Sequence, residues 1–378
     1  MQYRPLGKTG LKVSEIGYGT EHLLEKPYEL IDAVLNTAID GGVNIIDVFL
    51  PQAEVRSNIG RAIGKRRKDV MLQGHIGATL QSDGQYLRSR DVAHCDLFIR
   101  DFLTRFNTDY IDFGMIHYVD TEEDYKGAFE TPYIEYAQKL KKDGVVRFLG
   151  ASTHDTATAI KMVNTGIIDM IMFSLNPVFD MSFGDYFLDM LWEDFKLKKL
   201  DIDPLRVEFY NLCAAKGIGI TVMKALGAGR LLSAETSSLN CALSIPQCVS
   251  YALDRPGVSS VLLGAQTVEE MKQGLAYESS TSEERDYMAA LQSGLPMLGG
   301  KCMYCNHCLP CPQGIDIAAV TKYLDMAKAG ESEIIRSHYN TLSAHGSDCI
   351  SCGSCEERCP FHIKVSENMK EAARVFGK

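Results

Sequence analysis

The chain has 378 residues, 46% hydrophobic and 23% charged, with a formal net charge of −10. This is enough for one large domain and a small one, of ordinary soluble composition. The acidic balance argues against nucleic acid as a partner, because phosphate binding needs a basic surface. No apolar run approaches a membrane span, and Met1 opens a polar, charged stretch without an apolar signal segment.

Residues 1–13 read as a hairpin with Gly7 and Gly10 at its turn, placed to plug the floor of a barrel. Eight short apolar runs then predict strands. They are Glu15–Gly19, Val43–Asp47, Val70–Gly74, Ile111–Ile116, Val146–Ala151, Met170–Leu175, Gly219–Met223 and Val258–Leu263. Several are nearly continuous in Val, Ile, Met and Leu, as parallel strands buried on both faces should be. Helical periodicity falls between them at Glu29–Ile39, Glu54–Ile63, Val92–Phe106, Tyr133–Leu140 and Pro246–Leu253. Eight β–α units predict a (β/α)8 TIM barrel over residues 1–293. A doubly wound sheet would carry a Gly-rich turn after its first strand, which is missing here. Residues Asn176–Asp203 are long for a β–α loop and rich in aromatics, among them Phe179, Phe187 and Trp192. They read as a packed extra helix, as an aromatic wall over the barrel mouth, or as both. Residues 282–299 read as a helix and a Gly-rich linker, and Ile317–Tyr339 as a helical spacer inside a second, α-helical domain over 294–378.

That second domain carries two compact cysteine runs. Cys302, Cys305, Cys308 and Cys311 precede Pro312; Cys349, Cys352, Cys355 and Cys359 precede Pro360. A [4Fe–4S] cube needs four soft thiolates, three from one tight loop and a remote fourth. The spacing therefore predicts two clusters of ferredoxin type: Cys302, Cys305 and Cys308 with Cys359, and Cys349, Cys352 and Cys355 with Cys311. The first run has two residues before its last cysteine where the second has three. Zinc favours separated C-x2-C pairs, and disulfides would imply export, so both fit less well. Cluster chemistry implies a reducing cytoplasm and an anaerobic setting. The remaining Cys95, Cys213, Cys241 and Cys248 sit singly in apolar patterns and read as small core hydrophobes.

The barrel resembles an aldo/keto reductase along nearly its whole length, through YRPLGKTGLKVSEIGYGT, GVNIIDVFLPQAEVRSNIGRAI, TDYIDFGMIHYVD, KKDGVVRFLGASTH and RPGVSSVLLGAQTVEEM. The tail CMYCNHCLPCPQGIDI resembles the iron–sulfur subset of that family. The resemblance implies a site at the C-terminal mouth of the barrel. It also implies a tetrad of Asp, Tyr, Lys and His, in which a tyrosine protonates a carbonyl oxygen while NADPH supplies hydride. Asp47 and His117 stand at the family's Asp and His positions. Gln52 stands at the Tyr position, with no tyrosine near it in the sequence, and His75 stands at the Lys position. Ser152 matches a family serine, and Met172 replaces the glutamine that holds the nicotinamide amide. Gln52 cannot act as an acid.

Four histidines, His22, His75, His117 and His154, follow the first, third, fourth and fifth strands. They suit acid–base work beside Asp47, a metal site, or merely polar strand ends. By the resemblance a nucleotide phosphate would lie at Lys224, Gly227, Gly229 and Arg230, and at Gly264, Ala265 and Gln266. Glycines allow close backbone approach and a helix N-terminus favours an anion. Glu269 and Glu270 disfavour a 2′-phosphate there, so NADH or a flavin fits as well as NADPH. Three functions are compatible with these residues. One is an oxidoreductase passing electrons between the clusters and a small organic substrate, with ferredoxin or flavodoxin as an external partner. Another is an NAD(P)H-dependent carbonyl or C=C reductase with histidine as acid. The last is an inactive barrel serving electron transfer or docking.

Overall fold

The computed structural model describes residues 1–182, 202–294, 302, 304–329, 333–359 and 361–378. Its strands are β1 (Tyr3–Pro5), β2 (Lys12–Ser14), β3 (Ile16–Gly19), β4 (Ile45–Val48), β5 (Met71–Ile76), β6 (Ala78–Leu80), β7 (Tyr86–Arg88), β8 (Ile111–Ile116), β9 (Val146–Thr153), β10 (Met170–Ser174), β11 (Gly219–Met223) and β12 (Val258–Leu263). Strands β3, β4, β5, β8, β9, β10, β11 and β12 close a barrel in that order. The pairs whose register is defined are parallel, as in β5 with β8, where His75 lies beside Met115. These are the eight strands expected from the sequence. The barrel strands are largely buried; every residue of β8 and of β12 is buried.

By contacts the chain divides into two compact units that interleave in sequence. The first comprises Met1–Leu175, Ile218–Ala225 and Ser259–Ser280, and so holds the barrel strands. The helices α1 (Tyr28–Asp40), α2 (Ala53–Ile63), α3 (Val92–Arg105), α4 (Glu122–Phe129), α5 (Pro132–Lys142) and α6 (Thr156–Asn164) belong to it. Polar caps start several of them: Asp91 accepts from the His94 amide at 2.7 Å, and Thr121 with Asp124 forms a capping box on α4. The β1–β2 hairpin plugs the barrel floor as expected. Leu6 and Val13 join Ile45, Phe113, Met115, Met170, Met172 and Leu262 in one cluster, with Leu11 packed against it. Gly219, at the base of β11, has no room for a side chain, since a Cβ there would lie 2.5 Å from Leu6.

The second unit comprises Asn176–Gly217, Leu226–Val258 and Thr281–Lys378. It contains α7 (Pro177–Met181), α8 (Pro204–Lys216) and α9 (Ile245–Leu253). After α10 (Val268–Leu275) of the first unit, it continues with α11 (Ser282–Arg285), α12 (Met288–Gly294), α13 (Ile317–Ala329), α14 (Glu333–Asn340), α15 (Ser354–Arg358) and α16 (Val365–Phe376). The expected helical spacer is two helices, α13 and α14, and α13 packs on α8, α14 and α16. Asp180 is buried in this unit and accepts from Arg206 Nε at 2.7 Å and from the hydroxyls of Tyr210 and Tyr251 at 2.6 and 2.9 Å. A buried carboxylate needs such a set of donors to offset its lost hydration. Most of the aromatic segment expected after the sixth strand, Phe187 and Trp192 included, lies outside the described residues; Phe179 is a buried residue of α7. The four single cysteines are all buried, as expected.

Candidate active site and cysteine loops

At the C-terminal end of the barrel strands, a chain of hydrogen bonds joins residues from four different elements. Asp47 near the end of β4 places Oδ1 2.9 Å from His75 Nε2 and accepts from Gln73 Nε2, also at 2.9 Å. His75 near the end of β5 places Nδ1 2.7 Å from Nδ1 of His117, the residue after β8. Nε2 of His117 meets the hydroxyl of Tyr86 on β7. Asp47, His75 and His117 are all buried. The Phe49 ring stacks on His117, with centroids 5.8 Å apart and planes 9° apart. Burial, followed by the charges of His75, Arg90 and Arg88, holds the His117 imidazole well below the usual histidine range. Burial pushes the Tyr86 phenol up to about 12.

Tyr86 lies 34 positions beyond Gln52, in a β6–β7 hairpin additional to the strands expected from the sequence. One cue for the hairpin is present in the chain. Asp83-Gly84 separates two short β-type runs, and Asp-Gly is a strong hairpin signal. The hairpin is held at both ends. Gly77 takes φ of 96°, and a Cβ there would lie 2.6 Å from the Ser89 carbonyl. Ser89 N donates to Gly77 O at 2.8 Å, and Arg90 Nη2 donates to His117 O at 2.7 Å.

The other expected site residues scatter. Gln52 occupies the N-cap position of α2 without a capping hydrogen bond from its side chain, and its Oε1 is buried without a hydrogen-bond partner. Ser152 Oγ accepts from Tyr118 N at 2.9 Å, shaping the turn after His117. Met172 Sδ takes a contact from Gln73 Nε2 at 3.4 Å. His154 pairs with Asp120 at 2.9 Å, and His22 packs its ring beside Gly264. Burial raises the Asp120 carboxyl, but hydrogen bonds from His154 and Thr153 outweigh it and hold it below its ordinary value. Lys224 lies 3.6 Å from Glu21 in the first unit, whereas Gly227, Gly229 and Arg230 form a tight turn of the second. Gln266 N already donates to Glu270 Oε2 at 2.7 Å, so an amide an anion would use is taken. Tyr18 OH donates to Ala265 O at 2.8 Å.

In the second unit the two cysteine runs share one backbone pattern. The second residue after the leading cysteine is left-handed in each: Tyr304 at φ 57° and Ser351 at 53°. So is the fourth, Asn306 at 63° and Gly353 at 79°, and so is the third after the last cysteine, Gly314 at 68° and His362 at 51°. Left-handed backbone costs a non-glycine residue about 1–2 kcal/mol, so the repetition is imposed by the loops. It turns amides toward sulfur: Tyr304 N donates to Cys302 Sγ and Ser351 N to Cys349 Sγ, both at 3.4 Å. Arg358 ties the runs together by donating to the carbonyls of Cys308 and Pro310, both at 2.7 Å.

Cys302, Cys305, Cys308 and Cys359 line one cavity with Ile317 and Phe361 in its wall. Among the described residues, no three His, Cys, Asp or Glu side chains converge closely enough for a single metal ion. Four thiols spread around a cavity instead suit a polynuclear cluster, in which each sulfur bonds a different iron. Burial pushes the Cys305 and Cys308 thiols up to about 11 and about 12, and ligation would deprotonate them.

A closed eight-stranded parallel barrel with helices between its strands is the (β/α)8 architecture, whose enzymes carry their chemistry at the C-terminal end, where the Asp47–His75 pair lies here. The aldo/keto reductase family profile matches residues 15–242, and the chain belongs to that family of oxidoreductases. Both cysteine runs lie beyond the matched residues. Uncharacterized oxidoreductase YqkF of Bacillus subtilis is 26% identical over 78% of this chain and 96% of its own length. L-galactose dehydrogenase of Arabidopsis thaliana is 25% identical over 73% of this chain and 88% of its own. Among solved structures, the holo form of aldo-keto reductase AKR11C1 from Bacillus halodurans shares the fold with a TM-score of 0.60. It is 22% identical over 78% of this chain and 96% of that one. No helix among the described residues is long and apolar enough to cross a membrane.

Proposed function

We propose that this protein is an iron–sulfur oxidoreductase of aldo/keto reductase type, with a barrel of residues 1–293 followed in the chain by a two-[4Fe–4S] ferredoxin-type domain at 294–378. The observation that carries this reading is the cavity lined by Cys302, Cys305, Cys308 and Cys359, since it joins three cysteines of one run to the last of the other. Cys349, Cys352, Cys355 and Cys311 would hold the second cluster. When bound, such clusters deliver single electrons. The substrate is a small organic molecule with a reducible C=O or C=C, and Asp47, His75 and His117 manage its proton. Met172, already spent on Gln73, offers nothing to a nicotinamide amide, which favours electron delivery from the clusters. Ferredoxin or flavodoxin would load them in a reducing cytoplasm.

The test is anaerobic. Protein reconstituted with iron and sulfide should hold metal equivalent to two cubes and show their paramagnetic signal after dithionite reduction. Addition of aldehydes, ketones or enones should reoxidise it. Retention of the signal against every acceptor would overturn the reading and leave the barrel as a docking subunit. Membership of the family keeps one rival, a nicotinamide-dependent reductase with a histidine acid. Saturable quenching of protein fluorescence by NADH, with turnover in the cluster-free protein, would favour that rival.

A further inference from the structure

The four-membered chain at the barrel mouth has a direction that its chemistry dictates. Asp47 is flanked by two donors, Gln73 Nε2 and His75 Nε2, both at 2.9 Å from Oδ1. An ionised carboxylate only accepts, so His75 carries a proton on Nε2. In a neutral His75 the Nδ1 atom is then an acceptor, and His117 must donate to it from its own Nδ1 across 2.7 Å. Neutral His117 is left with Nε2 as acceptor, and the Tyr86 hydroxyl donates to it. Every donor thus points from Tyr86 toward Asp47. One proton added at His75 reverses the whole run. His75, as an imidazolium opposite Asp47, donates from Nδ1 to His117. His117 then donates from Nε2 to the Tyr86 oxygen, and the phenol proton is released to point elsewhere. Exposure shows where. His75 and His117 are 3% and 5% exposed, whereas Tyr86 is 41% exposed.

We propose that Tyr86 is the acid that meets the substrate, and that His117, His75 and Asp47 are the proton wire that reloads it. This rests on the reading of the barrel mouth as a reduction site. As reduction places charge on a substrate oxygen, the Tyr86 O–H bond breaks and a substrate O–H bond forms. The His117 Nε2 proton passes to the phenolate oxygen, and the His75 Nδ1 proton passes to His117 Nδ1. One proton leaves His75, none accumulates on His117, and no electron moves in this step. The phenol stays protonated until it acts, because burial pushes it up to about 12. His117 relays without charging, since the groups facing it among the described residues are His75, Arg88, Arg90, His154, Tyr86 and Tyr118, none of them a carboxylate. The carboxylate Asp47 faces His75 instead. The fold has therefore supplied a tyrosine from the β6–β7 hairpin, with no tyrosine on the segment where Gln52 stands.

The wire is testable without knowing the substrate. Full-length protein with nitrogen-15 in histidine and carbon-13 at tyrosine Cζ is titrated from pH 9 to pH 5 by nuclear magnetic resonance. The His117 proton is expected to move from Nδ1 to Nε2 without double protonation, and the Tyr86 Cζ signal, assigned with Tyr86→Phe, to shift at the same midpoint. Asp47→Ala should abolish this switch although Asp47 does not touch His117 or Tyr86. A His117 that keeps its proton on one nitrogen, or a Tyr86 signal that ignores the switch, would overturn the wire. The second arm uses dithionite-reduced holo-protein and 4-nitrobenzaldehyde as probe. Tyr86→Phe should slow reoxidation by about 100-fold, the lower bound for a lost general acid, while reduction by dithionite is unchanged. An unchanged reoxidation rate in the variant overturns Tyr86 as the acid. If even the unsubstituted protein does not reoxidise, the reductase reading fails, and the His117 switch still decides the wire.

Discussion

The thiols that line the cavity of the second unit come from two stretches, three from 302–308 and one from 359, and each run is a repeating local unit of chain. The barrel mouth draws Asp47, His75, Tyr86 and His117 from four elements that meet only because the barrel closes and the hairpin folds beside it. A short loop can present three thiols from spacing alone, since its backbone turns are set within a few residues. A proton wire needs four side chains in register to within a hydrogen bond. No short stretch of this chain supplies that. The first kind of site is readable from a linear motif; the second depends on the fold.

The sharpest way to break this contrast is Cys359→Ala. The cysteine loops are not wholly local if Cys359 serves the first run, and the variant should then lose one cluster's worth of iron and sulfide. Its remaining paramagnetic signal should match that of Cys305→Ala and differ from that of Cys352→Ala. A match to Cys352→Ala would make each run self-contained and the contrast between the two sites sharper still.

The next effect concerns the barrel's dependence on remote contacts. Leu6 is fully buried and packs from the β1–β2 hairpin into the barrel interior. Leu6→Ala should cost about 2–5 kcal/mol in urea unfolding, from lost burial and the cavity left behind. A cost under about 1 kcal/mol would show that the floor is not part of the core that sets the mouth.

The smallest effect is a pH slope. His117 stays neutral in the folded protein at pH values where an unfolded histidine is charged. The unfolded chain then binds more protons than the native one, so stability falls as pH drops below the ordinary histidine range. One proton contributes at most about 1.4 kcal/mol per pH unit. His117→Gln should flatten the slope between pH 7 and pH 5, measured as urea midpoints. An unaltered slope would mean that His117 is not held neutral and that water reaches the mouth.

The strand order and the helices that flank it were legible because burial on both faces writes itself as apolar runs, such as IDFGMI in β8 and VSSVLL in β12. Asp47, His75 and His117 were legible as candidates because residues at strand ends face the mouth of such a barrel. Their linkage was not, since hydrogen-bond partners at separations of 28 and 42 residues leave no periodic trace. Gln73 reads in the sequence only as a strand residue, yet its amide holds Asp47 as an acceptor. Tyr86 was hidden because it stands 34 positions beyond Gln52, on a hairpin after β5 that the strand pattern did not reveal. Gln266, expected to greet an anion, is closed off by Glu270 one helical turn away.

By itself, the sequence determined the parallel barrel, the floor hairpin and the two cysteine loops, because periodicity and short-range spacing are properties of contiguous chain. The cysteine spacing already predicted the grouping of Cys302, Cys305 and Cys308 with Cys359. Only the tertiary structure decided which tyrosine reaches the histidine pair. That depends on where distant segments come to rest, and it is set by closure of the barrel and by packing rather than by any local preference.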